Sequence, residues 1–419
     1  MTVTDVLITQ RREIEGRLRE RYIERDVPSS GKAANLVRVI SGPRRAGKSF
    51  FAMHHLPPGG KYGYVNFDDE RLAAYTGDEI IAAAGETSGS GTFLFLDEIQ
   101  NLSSWELLVN RLQREGYHLL ITGSNSQLLS SELATHLTGR YLQTTIFPFS
   151  FREFLRTRPG PLTSAEKQAL FARYATMGGF PEVVLKDLEG NDYLATLFDA
   201  VVYKDIVKRY HIRSISAIEN LAMYLISNIA CEYSFSSLAK VTGTRSVHTV
   251  KKYLAYLEQS FLFFSIPRFS FRVREQLTAN RKIYCIDNGL VQAKAARFSE
   301  NTGRLYENLV AVTLKRQELN GILSCFTWKN VQQEEVDFVI RKKGRVTELI
   351  QVCAHTESPA TKEREVRALL KAGRELKCSR LRILTEQEER VAEEEWFGIR
   401  GSVIYEPLWK WLERDGLEE

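Results

Sequence analysis

The 419-residue chain holds only five cysteines, Cys231, Cys285, Cys325, Cys353 and Cys378, and they are scattered. None forms a C-x-x-C pair and the number is odd, so neither a disulfide framework nor a structural zinc site is expected. The seven histidines make no H-E-x-x-H pattern. No apolar run approaches the ~18–20 residues of a membrane span. The amino-terminal stretch MTVTDVLITQRREIEGRLRERYIERD is charged and lacks the apolar core of a signal peptide. These absences predict a cytoplasmic protein with no membrane partner. No repeat of 20–50 residues is visible, which argues against a solenoid.

What is present is ordinary globular composition: 43% hydrophobic, 26% charged and 11% aromatic residues. A disordered, collagen-like or fibrous chain is excluded. At roughly 100–200 residues per domain the length suits two to four domains. The net charge is only +5, but residues 201–300 carry 15 Lys/Arg against 7 Asp/Glu. A basic middle segment in a near-neutral chain points to a polyanionic partner or to a solvated basic face.

Residues 1–34 read as a helix with a polar ending. LVRVISG (36–42), KYGYVNFDD (61–69), TFLFLDE (92–98) and HLLITGS (118–124) read as strands, the third almost continuously apolar. KSFFAMHHL and NLSSWELLVNRLQRE alternate with them as helices, so the first part predicts a three-layer α/β domain around a parallel sheet. Residues from about 150 to 230 turn helical, with a break at MGGFPE. Beyond them lie a small α/β unit with a hairpin and then a helix with four strand-like runs, SCFTWK, EVDFVI, ELIQVC and RLRILT. The expected divisions are 1–148, 149–230, 231–300 and 301–419.

GPRRAGKS (42–49) fits G-x-x-x-x-G-K-S and stands between a strand and a helix, the context that motif demands. The predicted nucleotide-binding stretch comprises Gly42, Pro43, Arg44, Arg45, Ala46, Gly47, Lys48, Ser49 and Phe50. Its glycines let the backbone wrap a phosphate, and its amides supply positive potential. Lys48 is suited to the β- and γ-phosphates of ATP, and Ser49 to one coordination position of Mg²⁺. LFLDE ends a buried strand in two acids at the edge where α/β sheets bind ligands. Asp97 is the second Mg²⁺ candidate, and Glu98 the candidate that polarises the attacking water. ITGSNS places Ser124 and Asn125 at the end of the neighbouring strand, either to sense the γ-phosphate or as plain turn residues. Arg140, in LTGRY, is a candidate charge donor, with a structural arginine as the alternative.

Together GPRRAGKS, LFLDEIQNL, ITGSNSQLLSSELATHLTGRY and IFPFSFREFL resemble the AAA+ ATPases of bacteria and archaea that carry a C-terminal domain of unknown function. The resemblance runs over essentially the whole chain. It implies an AAA+ core, a winged-helix segment and a C-terminal domain similar to restriction-endonuclease-like folds. It also implies a homo-oligomer whose neighbours supply an arginine, Arg140 being the first candidate. In GFP (179–181) it implies a Gly-x-Pro element with Pro181 near the adenine. A helix-breaking turn is the other reading of Gly179 and Pro181.

YSFSSLAKVTGTRSVHTVKKYLAYLEQSFLF (233–263) reads as helix, turn, helix, strand. Val247, Val250, Leu254 and Leu257 form one expected buried stripe. Arg245, Thr249, Lys252 and Tyr256 lie on the other face. FLFFSIPRFSFRVREQ and RKIYCID form a possible wing. Lys251, Arg268, Arg272 and Arg274 suit phosphate contacts. DNA contact and a pure ATPase lid are both open at this stage. In restriction-endonuclease-like nucleases a helix Glu, a strand Asp and a Glu-x-Lys strand surround Mg²⁺. Here Glu307 and Asp337 match, but Gln351 and Cys353 stand at the Glu-x-Lys positions, and Glu348 points to the other strand face. A catalytically dead scaffold is expected there. The readings therefore order as a DNA-associated ATPase, then a nucleotide switch that touches no DNA, then an ATP-dependent nuclease.

Overall fold

A computed structural model describes every residue except 28–35, 58–60, 88–90, 126–136, 138, 187, 189, 245, 296–301, 355–357 and 417–419. Two compact units result: Met1–Pro148 with Gln259–Phe261, and Phe149–Glu258 with Leu262–Glu419. No helix among the described residues is long and apolar enough to cross a membrane.

In the first unit, five short segments form one parallel sheet. They are β1 (Val37–Ser41), β2 (Gly63–Asn66), β3 (Phe93–Asp97), β4 (His118–Gly123) and β5 (Tyr141–Thr145), in the order β2-β3-β4-β1-β5. Side chains of a strand alternate between faces. Val37, Val39, Leu94, Leu96, Leu119 and Ile121 thus pack with α1 (Val3–Arg17), α3 (Gly77–Thr87) and α4 (Trp105–Arg114). Ile40, Phe95 and Leu120 pack on the other side with Phe51, Ala52 and Met53 of α2 (Lys48–Met53). Burial on both faces is why β3 reads as an unbroken apolar run.

Two expectations change here. The amino-terminal helix ends at Arg17, not near residue 34. Beyond it Ile23 and Arg25, two apart, are both buried, a spacing that suits extended chain and not a helix. Strand β5 was not foreseen, because YLQTT is half-buried throughout and holds few apolar residues.

The second unit begins with α5 (Phe151–Leu155), α6 (Ser164–Met177), α7 (Pro181–Lys186), α8 (Gly190–Ala200) and α9 (Ile215–Ser227). An antiparallel sheet of order β6-β8-β7 follows, from Cys231–Tyr233, Arg281–Cys285 and Phe263–Pro267. Between β6 and β7 lie α10 (Phe235–Thr242) and α11 (Val247–Gln259), with Gly243 closing α10 in the left-handed conformation. The short α12 (Val273–Thr278) separates β7 from β8, and α13 (Asn288–Lys294) and α14 (Thr302–Leu319) follow. A six-stranded mixed sheet ends the chain: β9 (Ser324–Lys329), β10 (Glu335–Lys342), β11 (Arg345–Val352), β12 (Leu381–Thr385), β13 (Arg390–Trp396) and β14 (Ile399–Pro407), in the order β13-β14-β12-β11-β10-β9. Val366, Leu369 and Leu370 of α15 (Pro359–Leu376) cover it over Val339, Leu349, Ile383 and Val403.

The break at MGGFPE has a physical cause. Gly178 caps α6 at φ 74°, and a Cβ there would lie 1.8 Å from Asp287 Oδ1. A Cβ on Gly179 would meet the Phe149 carbonyl oxygen at 2.1 Å. Asp287 accepts the Gly179 amide at 2.7 Å and the Gly289 amide at 2.8 Å.

Burial pushes the Asp287 carboxyl up to about 7, with the amides of Gly179 and Gly289 pulling back only partly. The folded chain therefore keeps a proton that the unfolded chain loses from about pH 4 upward, so this group's contribution to stability falls as pH rises towards 7. The Tm of wild type measured against Asp287→Asn should drop steadily between pH 5 and 7.5. Parallel Tm profiles for the two proteins would contradict this assignment.

Candidate active site

The registers Ser41↔Gly123, Ser41↔Thr145 and Asn66↔Asp97 align the carboxyl ends of the strands along one edge. The loop 42–47 leaves β1 at that edge. Gly42 sits at φ 144°, and a Cβ would lie 2.0 Å from the Ile146 carbonyl oxygen. Gly47 sits at φ 92° and caps α2. Both positions require glycine, and the result is a narrow backbone cradle opening on Lys48 and Ser49.

Asp97 closes β3 at 3% exposure. Its Oδ1 accepts the Ser49 hydroxyl at 2.8 Å and also the Thr122 hydroxyl of β4, and its Oδ2 accepts the Tyr64 hydroxyl of β2 at 3.2 Å. Burial first, and then the charge of Glu98, push this carboxyl up to about 6, while the Thr122 and Ser49 hydroxyls and Lys48 pull it back. The donor set, a hydroxyl beside a carboxylate, is the hard-oxygen chemistry that suits Mg²⁺.

Glu98 stands next, at φ 51°, a strained value for a residue with a Cβ. Its amide donates to the Thr122 hydroxyl at 3.0 Å. Its Oε1 lies 3.6 Å from Lys48 Nζ, which also donates to the Pro43 carbonyl at 3.1 Å. Burial acts to raise the Glu98 carboxyl, but Lys48, Gln100 and Arg44 outweigh it and hold it below the ordinary glutamate value. Gln100 Nε2 donates to Glu98 Oε2 and, at 3.4 Å, to the Ser124 hydroxyl. Ser124 and Asn125 are both buried at the end of β4.

The residues 42–50, Asp97, Glu98, Ser124 and Asn125 are thus brought to one edge of one sheet. Arg140 is not among them. It precedes β5 and is exposed, and its carbonyl accepts the Val37 amide at the start of β1. The four-residue span from Val37 to Ser41 puts it about 13 Å from the loop edge. Pro181 belongs to the second unit, where it opens α7.

Sequence reasoning missed Arg25. Its buried guanidinium donates to the Ala46 carbonyl at 3.0 Å and to the Phe147 carbonyl, so it braces the loop from behind. Tyr22 stacks on His54 at 4.0 Å, with Phe50 edge-on to His54 at 5.0 Å. No motif announces either feature: Arg25 lies in a stretch of alternating charge, RLRERYIERD, that nothing distinguishes.

In the second unit, Lys251 and Lys252 are exposed on α11, with Lys251 Nζ 5.0 Å from the Phe235 ring centre. Arg272 and Arg274 are exposed at α12, Arg272 meeting Glu275 at 2.9 Å. Arg245 lies outside the described residues. The stripe on α11 is shorter than expected. Val250, Leu254 and Leu257 are buried, but Val247 starts the helix and is 41% exposed. Tyr256, expected on the open face, stacks on Tyr210 with ring centres 3.8 Å apart.

A second polar cluster lies there too. Lys282 of β8, 4% exposed, reaches Glu307 and Asp337 at 3.0 Å each, and also Glu335. Tyr284 donates to Glu307 at 2.7 Å. Burial raises the Glu307 carboxyl, and Asp337 adds to that. Gln351 accepts the Asp337 amide at 3.2 Å and donates to Glu365. Glu348 turns instead to Arg382 at 2.7 Å. The cation beside Glu307 and Asp337 comes from Lys282, far from the Glu-x-Lys position, which is why a linear motif search missed it.

The profile of a family described as AAA domain matches residues 34–155, and that of a domain of unknown function, DUF8612, matches residues 168–301. An uncharacterised protein of Methanocaldococcus jannaschii is 35% identical over 399 residues, covering 90% of this chain and 88% of its own length. An uncharacterised protein of Haemophilus influenzae is 30% identical over 345 residues, covering 78% and 84%. Among solved structures, the replication initiator DnaA bound to AMPPCP and single-stranded DNA superposes with a TM-score of 0.30 and 15% identity, covering 58% of this chain and 91% of that chain. Likeness at that level leaves the assignment resting on the AAA profile and the two relatives.

Removing one partner of a buried ion pair typically costs ~3–5 kcal/mol. Lys282→Met should therefore lower the urea midpoint sharply, and adding Glu307→Gln should restore part of the loss, because one fewer buried carboxylate is left without its cation. A wild-type midpoint for Lys282→Met would show that the cluster contributes nothing to stability.

Proposed function

The chain belongs to the family of AAA-domain proteins that includes these M. jannaschii and H. influenzae relatives, and on that premise we propose that it binds ATP with Mg²⁺ at residues 42–50 and hydrolyses it to ADP and phosphate. The observation that carries the reading is the convergence of Lys48, Ser49, Asp97 and Glu98 at one sheet edge, with the Ser49–Asp97 contact at 2.8 Å and Lys48–Glu98 at 3.6 Å. The loop amides and Lys48 hold the phosphates. Ser49 and Asp97 hold the metal, which would neutralise phosphate charge. Glu98, kept ionised, accepts the proton of the attacking water. Ser124 and Gln100 orient Glu98.

In the same reading the protein works as a cytoplasmic homo-oligomer. Arg140, remote from its own loop, acts on the neighbour's γ-phosphate. The exposed Lys251 and Lys252 on the second helix of a helix-turn-helix, beside a three-stranded antiparallel sheet, favour a winged helix that contacts DNA. The finer division at residues 230 and 300 belongs to this proposal. A nucleotide switch without DNA contact is the alternative. Nuclease chemistry at the Lys282 cluster is not expected: Lys282 supplies an ammonium, but its ion pairs engage the Glu307 and Asp337 carboxylates, and Gln351 stands where a further strand acid would complete a metal site.

Lys48→Ala should abolish ATP binding or turnover. Glu98→Gln should retain bound ATP while phosphate release falls at least 100-fold, on the order expected for losing a general base. Undiminished phosphate release from Glu98→Gln would remove Glu98 from the chemistry.

Arg140→Ala should lose turnover at unchanged ATP affinity. Mixing it with Lys48→Ala protein should restore part of the activity, because each subunit then supplies what the other lacks. Full activity in a strict monomer by light scattering would contradict the shared site.

A further inference from the structure

The segment after β7 breaks the usual rule of burial. Phe271, Val273 and Leu277 are 75%, 69% and 67% exposed within seven residues. Single exposed apolar side chains are ordinary, but a cluster marks a contact surface. Phe271 is nevertheless held: its ring stands edge-on to Phe269 at 5.1 Å, and Phe269 stands edge-on to Phe326 at 5.5 Å.

Beside this ring runs a groove of about 390 Å³ whose lining includes Phe269, Phe271, Val273, Arg341, Arg345 and Lys377. Among the described residues no acidic side chain lines it. Across a tight hairpin turn in which Lys343 and Gly344 both adopt positive φ, Arg345 pairs with Lys342 and Arg341 with Val346, and both arginines line the groove. Arg341 is further steadied over the Phe326 ring at 5.0 Å. Arg272, Arg274 and Lys343 stand exposed on the flanking elements.

An open aromatic face set among cations, with no acid in the groove, matches one polyanion. A duplex hides its base faces in the stack, so it would use the cations and leave Phe271 idle. An acidic peptide matches the cations but offers a planar face only where it also carries an aromatic side chain, whereas every nucleotide carries one. A single strand presents both phosphates and unstacked bases. We propose that this groove binds single-stranded nucleic acid, with a base stacked on Phe271 and backbone phosphates on Arg341, Arg345 and Lys377. The inference rests on the DNA reading above and narrows it to a strand type and a place.

The test is fluorescence anisotropy of labelled dT20 and of a 20-base-pair duplex with the full chain, at 50 and 200 mM NaCl. Wild type should bind dT20 more tightly than duplex. Loss of one base stack is worth ~1–3 kcal/mol, so Phe271→Ala should weaken dT20 roughly 5- to 150-fold with the salt slope kept. Arg341→Ala with Arg345→Ala should reduce that slope by about 1.4, at ~0.7 per phosphate contact on a single strand. Phe271→Trp should keep affinity and show quenching on binding. Of the three side chains changed, Phe271 and Arg345 are exposed and Arg341 is half-buried, and ATPase rate and Tm serve as folding controls. If dT20 binds but neither variant weakens it, the groove is the wrong place and the wider DNA reading survives, to be located by Lys251→Ala with Lys252→Ala. If neither DNA binds at 50 mM salt, the wider reading fails and this one with it. If polyglutamate displaces dT20 at equal charge concentration, the surface is an acidic-peptide site and the proposal is overturned.

Discussion

The Asp97 carboxylate accepts hydroxyls from Ser49, Tyr64 and Thr122, which belong to α2, β2 and β4. One buried anion therefore ties the phosphate loop's helix to two strands on either side of β3. The cost of burying it appears as a carboxyl raised to about 6, and the three donors repay part of that cost. Thr122 extends the arrangement by also accepting the Glu98 amide, which fixes Glu98 in its strained conformation. Removing the Asp97 contacts would free Ser49, Glu98 and the end of β4 together. The geometry of the candidate site is thus a property of the sheet edge and not of the loop alone.

Lys48 is shared between the Pro43 carbonyl and Glu98. A phosphate entering the cradle competes for that ammonium, which is how nucleotide would separate Lys48 from Glu98. Arg25 braces the same loop through Ala46, so the amino-terminal segment belongs to the site although no motif marks it.

The structure was legible in the sequence where one local pattern decides the outcome. GPRRAGKS needs glycine at 42 and 47, and the structure gives both positive φ. FLFLD is apolar on both faces, and β3 is buried on both. Where outcomes depend on distant partners, the sequence was silent or misleading. Lys282 lies unremarked in the possible wing, RKIYCID, until Glu307 and Asp337 fold onto it. Arg25 reads as part of a charged helix until two carbonyls claim it. Tyr256 reads as an outer-face residue until Tyr210 stacks on it. Strand β5 is an edge strand that borrows its pairing from β1, so its own composition carries little signal. The Gly178–Gly179 break was visible, but its cause, Asp287, lies over a hundred residues away.

In the proposed reading the site has two poles, a loop that holds phosphate and an Asp97–Ser49 pair that holds the metal. Calorimetric titration of ATP into wild type and Asp97→Asn, each with excess Mg²⁺ and each with EDTA, separates the poles. The account predicts that metal-free ATP affinity stays within about threefold between the two proteins, while the gain on adding Mg²⁺ is large in wild type and absent in Asp97→Asn, with both proteins folded by circular dichroism. A full Mg²⁺-dependent gain in Asp97→Asn would contradict it.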